Sequence, residues 1–389
     1  MKRLGLVWLL LGAVSCQGSQ DATPSDAFDE IVEPAPEDTP EDTNPEQEVE
    51  PSDASDEEPP VDPWARVRDA ISISNIDALS FTVGTADGVV FTHHKGNSTV
   101  TTRYLSASSI KWVTSAVILR LVEEGLLGLD NHPQDYLDWW TSDPEDYRST
   151  VTIRHLLSFT AGLSGTPFGD NTPDCVSDGE TTLAACAQEI YEREFINPPG
   201  EAYFYGPSSM QILGGIAEAV SGQSWLEVYT SRVAEPVGMT DTVYHWPSVQ
   251  NPRMSGGAGT TMQDFQRFAH AMLTNAYWPT TWDEMVLDHT PSPEVRVVYS
   301  PMTGSSRGWH YGLGVWLECM NPDWEESCNS VGVISASGAW GFHLWVDVVR
   351  GHYAVLAMED QASGWQTSIQ LSFMLREYVA SAVAARRGA

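Results

Sequence analysis

The sequence predicts an α+β fold in which strands from both ends of the chain form one antiparallel sheet, flanked by helices, with a mostly helical second lobe. Near the start of the folded part, residues 79–83 alternate between apolar and small or polar side chains, and a second strand-like run, 89–93, follows a turn at Asp87-Gly88. Near the end, runs 343–349 and 353–358 form a second predicted hairpin. The helical lobe is predicted at about 110–240, between these hairpins.

Two long helices are predicted from their apolar content. Residues 110–122 are almost continuously apolar, which is typical of a buried helix. This run is too short, and carries too much charge, to span a membrane. A second helix, at about 367–385, follows the C-terminal hairpin. The folded region, 63–389, is larger than one undivided core usually serves, so two lobes are expected.

The charge of the chain excludes one class of function. The sequence holds 53 Asp or Glu against 20 Lys or Arg, a net charge of −33. Nucleic-acid binding requires clustered positive charge, and the sequence has no basic run longer than the Arg386-Arg387 pair. Much of the acidity lies in residues 17–62, which contain no Lys or Arg and many prolines. That segment is predicted to be a disordered, extended tether.

The first 16 residues are typical of an export signal, with Lys2 and Arg3 followed by an apolar run, 4–14. The stretch Ala13-Val14-Ser15-Cys16 resembles a bacterial lipobox. The expected product is a lipoprotein anchored at Cys16, located in the periplasm or at the cell surface, and the alternative is plain cleavage and secretion. Any membrane contact is expected only through this anchor.

Four cysteines remain once Cys16 is set aside, and their spacing predicts two local disulfides. Cys175 lies near Cys186, and Cys319 lies near Cys328. Each pair is close enough in sequence for a local disulfide. Such bonds form and persist in oxidising compartments. The alternatives are four free core thiols or, less favoured, a zinc site, which would require close Cys or His pairs. His93 and His94 adjoin on a strand and point to opposite faces, so a metal shared by the two is not expected. No cofactor is expected either.

The strongest chemical signal is Ser108 followed three residues later by Lys111, at the start of the buried helix. Positions three apart share a helix face. Burial and the positive helix end both lower a lysine pKa, so a neutral amine could accept the serine proton. The folded region contains only two lysines, Lys95 and Lys111, so generic surface charge does not explain Lys111. The alternative is a lysine that reaches past the helix end to water.

Beyond this pair, the sequence resembles the serine β-lactamase and penicillin-binding-protein-like superfamily, especially its class C and carboxylesterase branch. The resemblance covers most of residues 66–375 and implies the α/β sandwich of the β-lactamase and transpeptidase type. The matching segments, in chain order, are 121–125, 129–130, 151–163, 199–205, 213–222, 235–239, 256–259 and 311–314.

The resemblance also implies roles for residues of the second motif, which is Tyr-x-Asn in the family. Tyr205 stands at the Tyr position and would share a proton with Lys111. Pro207 replaces the Asn, so an amide that would bind substrate is missing. Ser208 or Ser209 is expected to substitute for it only in part. The alternative for Tyr205 is a core tyrosine in an aromatic loop.

The third motif, Lys-Thr-Gly or His-x-Gly in the family, aligns with Ser335-Ala336-Ser337. By resemblance, the backbone N–H groups of Ser108 and Ser337 would form an oxyanion hole. Ser335 and Gly338 would contact substrate, but Ser335 brings no charge for a carboxylate. Of the nearby tryptophans Trp112, Trp309 and Trp340, some could line an apolar pocket, although core packing is the commoner fate.

These observations lead to one expected function and two alternatives. The expected function is an exported serine hydrolase that cleaves a small-molecule or peptide ester or amide lacking an essential carboxylate. A β-lactamase or D-Ala-D-Ala carboxypeptidase is the alternative within the enzyme class. A non-catalytic, penicillin-binding-protein-like envelope protein is the alternative outside it, since fold alone does not establish activity.

Overall fold

The computed structural model describes residues 62–388 except 170, 292, 304–306, 320, 322, 326–327 and 329–331. The predicted signal peptide, the lipobox Cys16 and all of the acidic tether but Asp62 lie outside the described residues. The strands are β1 Leu79–Thr85, β2 Gly88–Lys95, β3 Arg103–Leu105, β4 Ala202–Phe204, β5 Val243–Tyr244, β6 Ala258–Thr261, β7 Arg296–Tyr299, β8 His310–Tyr311, β9 Trp316–Leu317, β10 Val333–Ser337, β11 His343–Asp347 and β12 His352–Ala357.

The helices alternate with these strands and dominate the middle of the chain. They are α1 Ala65–Ile73, α2 Ile110–Glu123, α3 Ile153–Leu157, α4 Leu183–Glu192, α5 Ser208–Ser221, α6 Trp225–Tyr229, α7 Glu235–Val237, α8 Met262–Leu273, α9 Trp282–Met285 and α10 Gly364–Arg387.

A seven-stranded antiparallel sheet joins the two ends of the chain, as the sequence predicts. Its order is β2-β1-β12-β11-β10-β9-β8. The N-terminal and C-terminal strands meet at β1 and β12, which pair from Ser80 opposite Ala357 to Thr85 opposite His352. Both predicted hairpins are present, as β1-β2 and β11-β12. The fold class expected from the alternating runs and their turns is confirmed.

Helices cover both faces of this sheet. On one face, α1 and α10 pack together over the apolar side of β1, where Val67 and Leu375 join Phe81 in one buried cluster. On the other face, α8 packs across β1, β11 and β12. Because helices cover both faces, β1 has no exposed residue, although only one of its faces is apolar.

The segment from α2 to α7 is mostly helical, as expected, with β4 as the strand that interrupts it in the described chain. Helix α2 is buried on nearly all sides, which explains why its sequence lacks a polar face. It ends just before Gly125, whose φ of +72° favours glycine. No helix in the described ranges is long and apolar enough to cross a bilayer.

Both predicted disulfides are formed, between Cys175 and Cys186 and between Cys319 and Cys328. The first joins a short 3-10 turn to α4. Two small sheets, β3-β6-β5 and the parallel pair β4-β7, were not apparent from the sequence. Both matter for the site, because β3 leads to Ser108 and β4 leads to Tyr205.

Candidate active site

Ser108 lies in a 3-10 turn, Ala107–Ser109, that runs directly into α2. Two neighbouring serines fix this turn: the Ser106 hydroxyl donates to the carbonyl of Ala258 at 2.7 Å, and the Ser109 hydroxyl donates to the carbonyl of Ser106 at 2.5 Å. Ala107 adopts a φ of +43°, a conformation that costs energy in a residue other than glycine. The backbone is therefore strained immediately before Ser108.

Lys111 lies one turn along α2, with Nζ 2.9 Å from Ser108 Oγ. Its side chain is only 2% exposed. The amine donates to the carbonyl of Ser255 at 2.9 Å and lies 4.5 Å from the ring centre of Tyr205. Burial, and to a lesser extent the positive charge of Arg253, hold the pKa of Lys111 well below its usual value. A lysine in this environment is neutral more readily than one in water and can act as a base.

Tyr205 directly follows β4 and is held by both backbone and ring contacts. Its N–H donates to the carbonyl of Tyr299 at 3.0 Å, and its ring stacks on Trp316 with a centroid distance of 5.3 Å. Burial raises the pKa of Tyr205, and an interaction with the Ser108 side chain lowers it in part. The hydroxyl thus remains protonated and close to Ser108. The structure brings Ser108, Lys111 and Tyr205 together, as expected for a common site.

The other residues of the second motif are placed differently from the expectation. Pro207 stands at the N-terminal cap of α5. The hydroxyl of Ser208 donates to the carbonyl of Ser164 at 2.5 Å, and Ser208 does not line either cavity beside Ser108. The predicted substrate contact of Ser208 is therefore replaced by a structural bond to a neighbouring loop.

The predicted third motif lies on β10, where its serines have different environments. Ser335 is fully buried, its hydroxyl has no hydrogen-bond partner in the described structure, and it lines neither cavity. Its side chain is thus not placed to contact substrate, contrary to the expectation. Ser337 does line a cavity, and its hydroxyl lies 2.7 Å from Nδ1 of His343. Burial, with a smaller effect from Arg376, keeps the pKa of His343 well below its usual value, so the ring is neutral.

The backbone geometry of β10 fits the expected oxyanion donor at Ser337. Gly338 N–H donates to the carbonyl of Phe342 at 2.8 Å, so the preceding pair, Ser337 opposite His343, is a non-hydrogen-bonded pair with β11. The N–H of Ser337 therefore points to the opposite side, toward β9. The pairing of β10 with β9 ends before Ser337, because β9 begins only at Trp316, after Gly314 with a φ of +86°. The N–H of Ser337 is therefore not used in pairing with β9.

Gly338 lies where β10 passes close to the nucleophile turn. A Cβ at this position would collide with the carbonyl of Ser106, so glycine permits the close approach. Gly338 also lines a cavity together with Ser108, and its contact with substrate stays a prediction.

Two cavities open on Ser108. The Tyr205 cavity has a volume of about 360 Å³ and is lined by Ser108, Pro167, Phe168, Tyr205, Tyr299, Ser300, Pro301, Met302, Trp316, Ser337, Gly338, Ala339, Trp365 and Ile369. The Arg253 cavity has a volume of about 490 Å³ and is lined by Leu105, Ala107, Ser108, Lys111, Pro167, Phe168, His245, Trp246, Arg253, Ser255, Gly256, Gly257 and Trp340. Both are mainly apolar, and Ser108, Pro167 and Phe168 are common to both. Trp340 thus lines a pocket, whereas Trp112 is a core residue.

Sequence reasoning missed Arg253, which is 8% exposed and lines the cavity named after it. It also missed Phe168 and Trp246, which flank its guanidinium. These residues come from separate loops and form no motif. The one available signal was that Arg253 lies just before Gly256-Gly257, a segment already matched to the family.

Comparison with known proteins identifies the family. The Beta-lactamase family model matches residues 66–368, so the chain belongs to that family. Its members are hydrolases with esterase, amidase and penicillin-binding-protein-like representatives.

Solved structures confirm the fold. The chain resembles a putative beta-lactamase from Bacteroides dorei DSM 17855, with a TM-score of 0.69 and 24% identity over 81% of this chain and 98% of that one. It also resembles EstCE1, described as a hydrolase with promiscuous acyltransferase activity, with a TM-score of 0.66 and 18% identity over 82% and 97% of the two chains.

Among curated proteins, Penicillin-binding protein 4 of Amycolatopsis lactamdurans is 31% identical over 162 residues, which is 40% of this chain and 39% of that protein. Protein flp of Staphylococcus aureus (strain N315) is 29% identical over 150 residues, 39% of this chain and 30% of that protein. The chain thus matches well under half of the length of these curated relatives.

Proposed function

We propose that this protein is a serine hydrolase that cleaves an ester or amide through an acyl-enzyme on Ser108. The observation that carries the proposal is the 2.9 Å contact between Ser108 Oγ and the buried Lys111 amine. Lys111 has no carboxylate partner among the described residues, so no ion pair there stabilises its protonated form. A serine beside a neutral amine has the activated arrangement that nucleophilic catalysis requires.

The geometry supports a complete sequence of proton transfers. Lys111 Nζ accepts the Ser108 proton as Oγ attacks the substrate carbonyl carbon. The resulting oxyanion accepts hydrogen bonds from the N–H groups of Ser108 and Ser337. As the intermediate collapses, Tyr205 donates its proton to the leaving oxygen or nitrogen and regains one from the Lys111 ammonium. The same pair then deprotonates water, which attacks the acyl-enzyme and releases the acid.

A β-lactamase or D-Ala-D-Ala carboxypeptidase is a second candidate, favoured by the family match and by the likeness to Penicillin-binding protein 4. The third motif weakens it, because Ser335 is uncharged and buried. Turnover of a chromogenic cephalosporin, compared with that of a nitrophenyl ester, separates the two candidates. We expect the ester to be hydrolysed faster, and efficient cephalosporin hydrolysis would reverse this order.

Labelling with a fluorophosphonate tests the hydrolase proposal directly. We expect the intact protein to be labelled on the peptide that contains Ser108, as located by mass spectrometry. Ser108→Ala should abolish both labelling and ester hydrolysis. A remote serine variant, Ser221→Ala, serves as the control, because its hydroxyl donates to the carbonyl of Ala217 on α5. Absence of both labelling and ester hydrolysis in the wild type would favour the non-catalytic alternative, and hydrolysis unaffected in Ser108→Ala would exclude Ser108 as the nucleophile.

We further propose that the protein is exported and lipid-anchored through Cys16. Two disulfides within the folded part support an oxidising compartment. Mass spectrometry of the mature N-terminus, from protein expressed in bacteria, should find a lipidated Cys16, and Cys16→Ala should release the protein from membranes. An unmodified N-terminus beyond residue 16 would instead indicate secretion.

A further inference from the structure

Arg253 is a nearly buried cation without a counter-ion in the described structure. Its Nη2 donates to the carbonyl of Pro167, and its Nε lies 3.5 Å from the hydroxyl of Ser255. The rings of Phe168 and Trp246 lie 5.8 and 5.7 Å from its Cζ. All of these partners are neutral, and Nη1 makes no hydrogen bond to the described residues.

Other arginines with little exposure are paired with carboxylates. Arg376, for example, bonds both oxygens of Glu318 at 2.8 Å, and Arg154 is paired with Asp130. Burial without such a partner lowers the pKa of Arg253 to about 10, yet the group remains charged at neutral pH. An uncompensated buried charge is unfavourable, so its position in a cavity that also contains Ser108 indicates an anionic ligand group.

The two cavities would hold different parts of the substrate, the leaving group in the Tyr205 cavity and the acyl group in the Arg253 cavity. Tyr205 is the proton donor to the leaving group, and it lines the Tyr205 cavity together with the oxyanion strand residue Ser337. The leaving group must lie beside that donor, so the acyl group extends the other way, past Lys111 toward Arg253. The walls there are apolar, with Leu105, Trp246 and Trp340 around one cation.

We propose that Arg253 binds a carboxylate at the far end of the substrate's acyl group, so that the preferred substrates are half-esters or half-amides of dicarboxylic acids. This inference rests on the proposed serine hydrolase function. It changes the expectation of a substrate without an essential carboxylate, because the anion would be bound in the Arg253 cavity and not at the third motif. A guanidinium with free donors suits a carboxylate, which can accept two parallel hydrogen bonds.

A matched pair of substrates tests the proposal. The nitrophenyl half-ester of glutarate carries the carboxylate, and its primary amide, nitrophenyl glutaramate, is nearly isosteric but neutral. Both rates are corrected for hydrolysis without enzyme and compared as kcat/KM on the pH plateau. We expect the wild type to prefer the anionic ester by about tenfold or more, the value of a charge-assisted hydrogen bond.

Variants of Arg253 should change the ratio of the two kcat/KM values. In Arg253→Gln the ratio should fall to about one, whereas Arg253→Lys should retain part of the preference. Arg103→Gln is the matched control, because Arg103 is an exposed arginine paired with Asp241, and it should keep the wild-type ratio. An unchanged ratio in Arg253→Gln, or an anionic preference seen only when the carboxylate is on the leaving group, would overturn the proposal.

Direct binding distinguishes this failure from failure of the hydrolase proposal. Calorimetry with the full-length Ser108→Ala protein should show binding of glutarate in preference to glutaramide, and Ser108→Ala/Arg253→Gln should lose it. If no ester is hydrolysed and Ser108 is not labelled, but glutarate binds through Arg253, the hydrolase proposal fails and the anion site stands. If esters are hydrolysed through Ser108 without any anionic preference, only the anion site fails.

Discussion

Lys111 on α2 and Arg376 on α10 are two basic side chains removed from water, and the protein treats their charge in opposite ways. The side chain of Arg376 is 11% exposed and bonds both oxygens of the 3% exposed Glu318. The 2% exposed Lys111 has only neutral hydrogen-bond partners, a serine hydroxyl and a carbonyl. The ion pair with Glu318 keeps Arg376 charged in a structural role. The surroundings of Lys111 favour its neutral amine, which can act as a base.

The comparison shows how to recognise a functional base from its surroundings. A buried carboxylate partner holds a base protonated, whereas its absence lowers the pKa and frees a lone pair. The α10 side of the sheet should therefore respond to mutation mainly through stability. The α2 side should respond mainly through rate.

The largest expected effect is on Lys111. Lys111→Met retains much of the side-chain volume but removes the base, so kcat for a nitrophenyl ester should fall by about 10³-fold or more. The melting temperature should stay the same or rise, because a buried amine is lost. Steady-state kinetics and thermal unfolding check both. A kcat within tenfold of the wild type would show that Lys111 is structural, as Arg376 is.

For an alkyl ester, whose alkoxide leaving group needs a proton, Tyr205→Phe should lower kcat by about 10²-fold, because the leaving group loses its proton donor while the ring still stacks on Trp316. Tyr203→Phe is a matched control from the same aromatic cluster. The Tyr203 hydroxyl is buried without a hydrogen-bond partner in the described structure, so its removal should leave kcat unchanged. Equal losses in the two variants would contradict a chemical role for Tyr205.

Arg376→Met should act on stability, because it leaves Glu318 buried without its partner. We expect the free energy of unfolding to fall by about 3 kcal/mol, measured by urea denaturation. The double variant Arg376→Met/Glu318→Leu should recover most of this loss. If kcat falls as far as in Lys111→Met while stability is unchanged, the contrast between the two sites is wrong.

The pH dependence of kcat/KM should show the state of Lys111. Only the neutral amine is a base, so activity should fall as the pH decreases through the pKa of Lys111, at a pH well below that of an ordinary lysine. Arg253→Gln should raise the pKa of Lys111, because a neighbouring positive charge is removed, and should move this loss of activity to higher pH. An unchanged pH profile in Arg253→Gln would exclude an electrostatic effect of Arg253 on Lys111.

The lowered pKa of Lys111 in the folded protein also has a consequence for stability. At a pH between the pKa of Lys111 in the folded protein and its pKa in the unfolded chain, the unfolded chain binds a proton that the folded protein does not. This contribution to stability therefore increases with pH over that interval. Lys111→Met should remove it, which can be measured by comparing melting temperatures across the alkaline range.

The fold could be predicted from sequence where its signals are local. The paired hairpins at 79–95 and 343–357 show alternating side chains and turn residues, and both were found. Strands β8 and β9 have two residues each and carry no period that a sequence can show. The pairing of β4 with β7 joins residues about ninety positions apart and depends on tertiary packing.

The candidate site shows the same division. Ser108 and Lys111 share a helix face, so their spacing alone predicts their contact, and Tyr205 follows from a motif. The environment of Ser335 could not be predicted, because the motif gives its place on β10 but not which face is buried. Arg253 and Phe168 approach through loops 85 residues apart, which no local pattern encodes.

The strained Ala107 gives the site a vulnerability under selection for heat resistance. A φ of +43° is tolerated by glycine at little cost, so Ala107→Gly would be enriched if relief of strain outweighed the added freedom of the unfolded chain. The same exchange would loosen the turn that presents Ser108. Directed evolution for thermostability alone could therefore select hydrolases that last longer and work more slowly, unless each round is also screened for turnover.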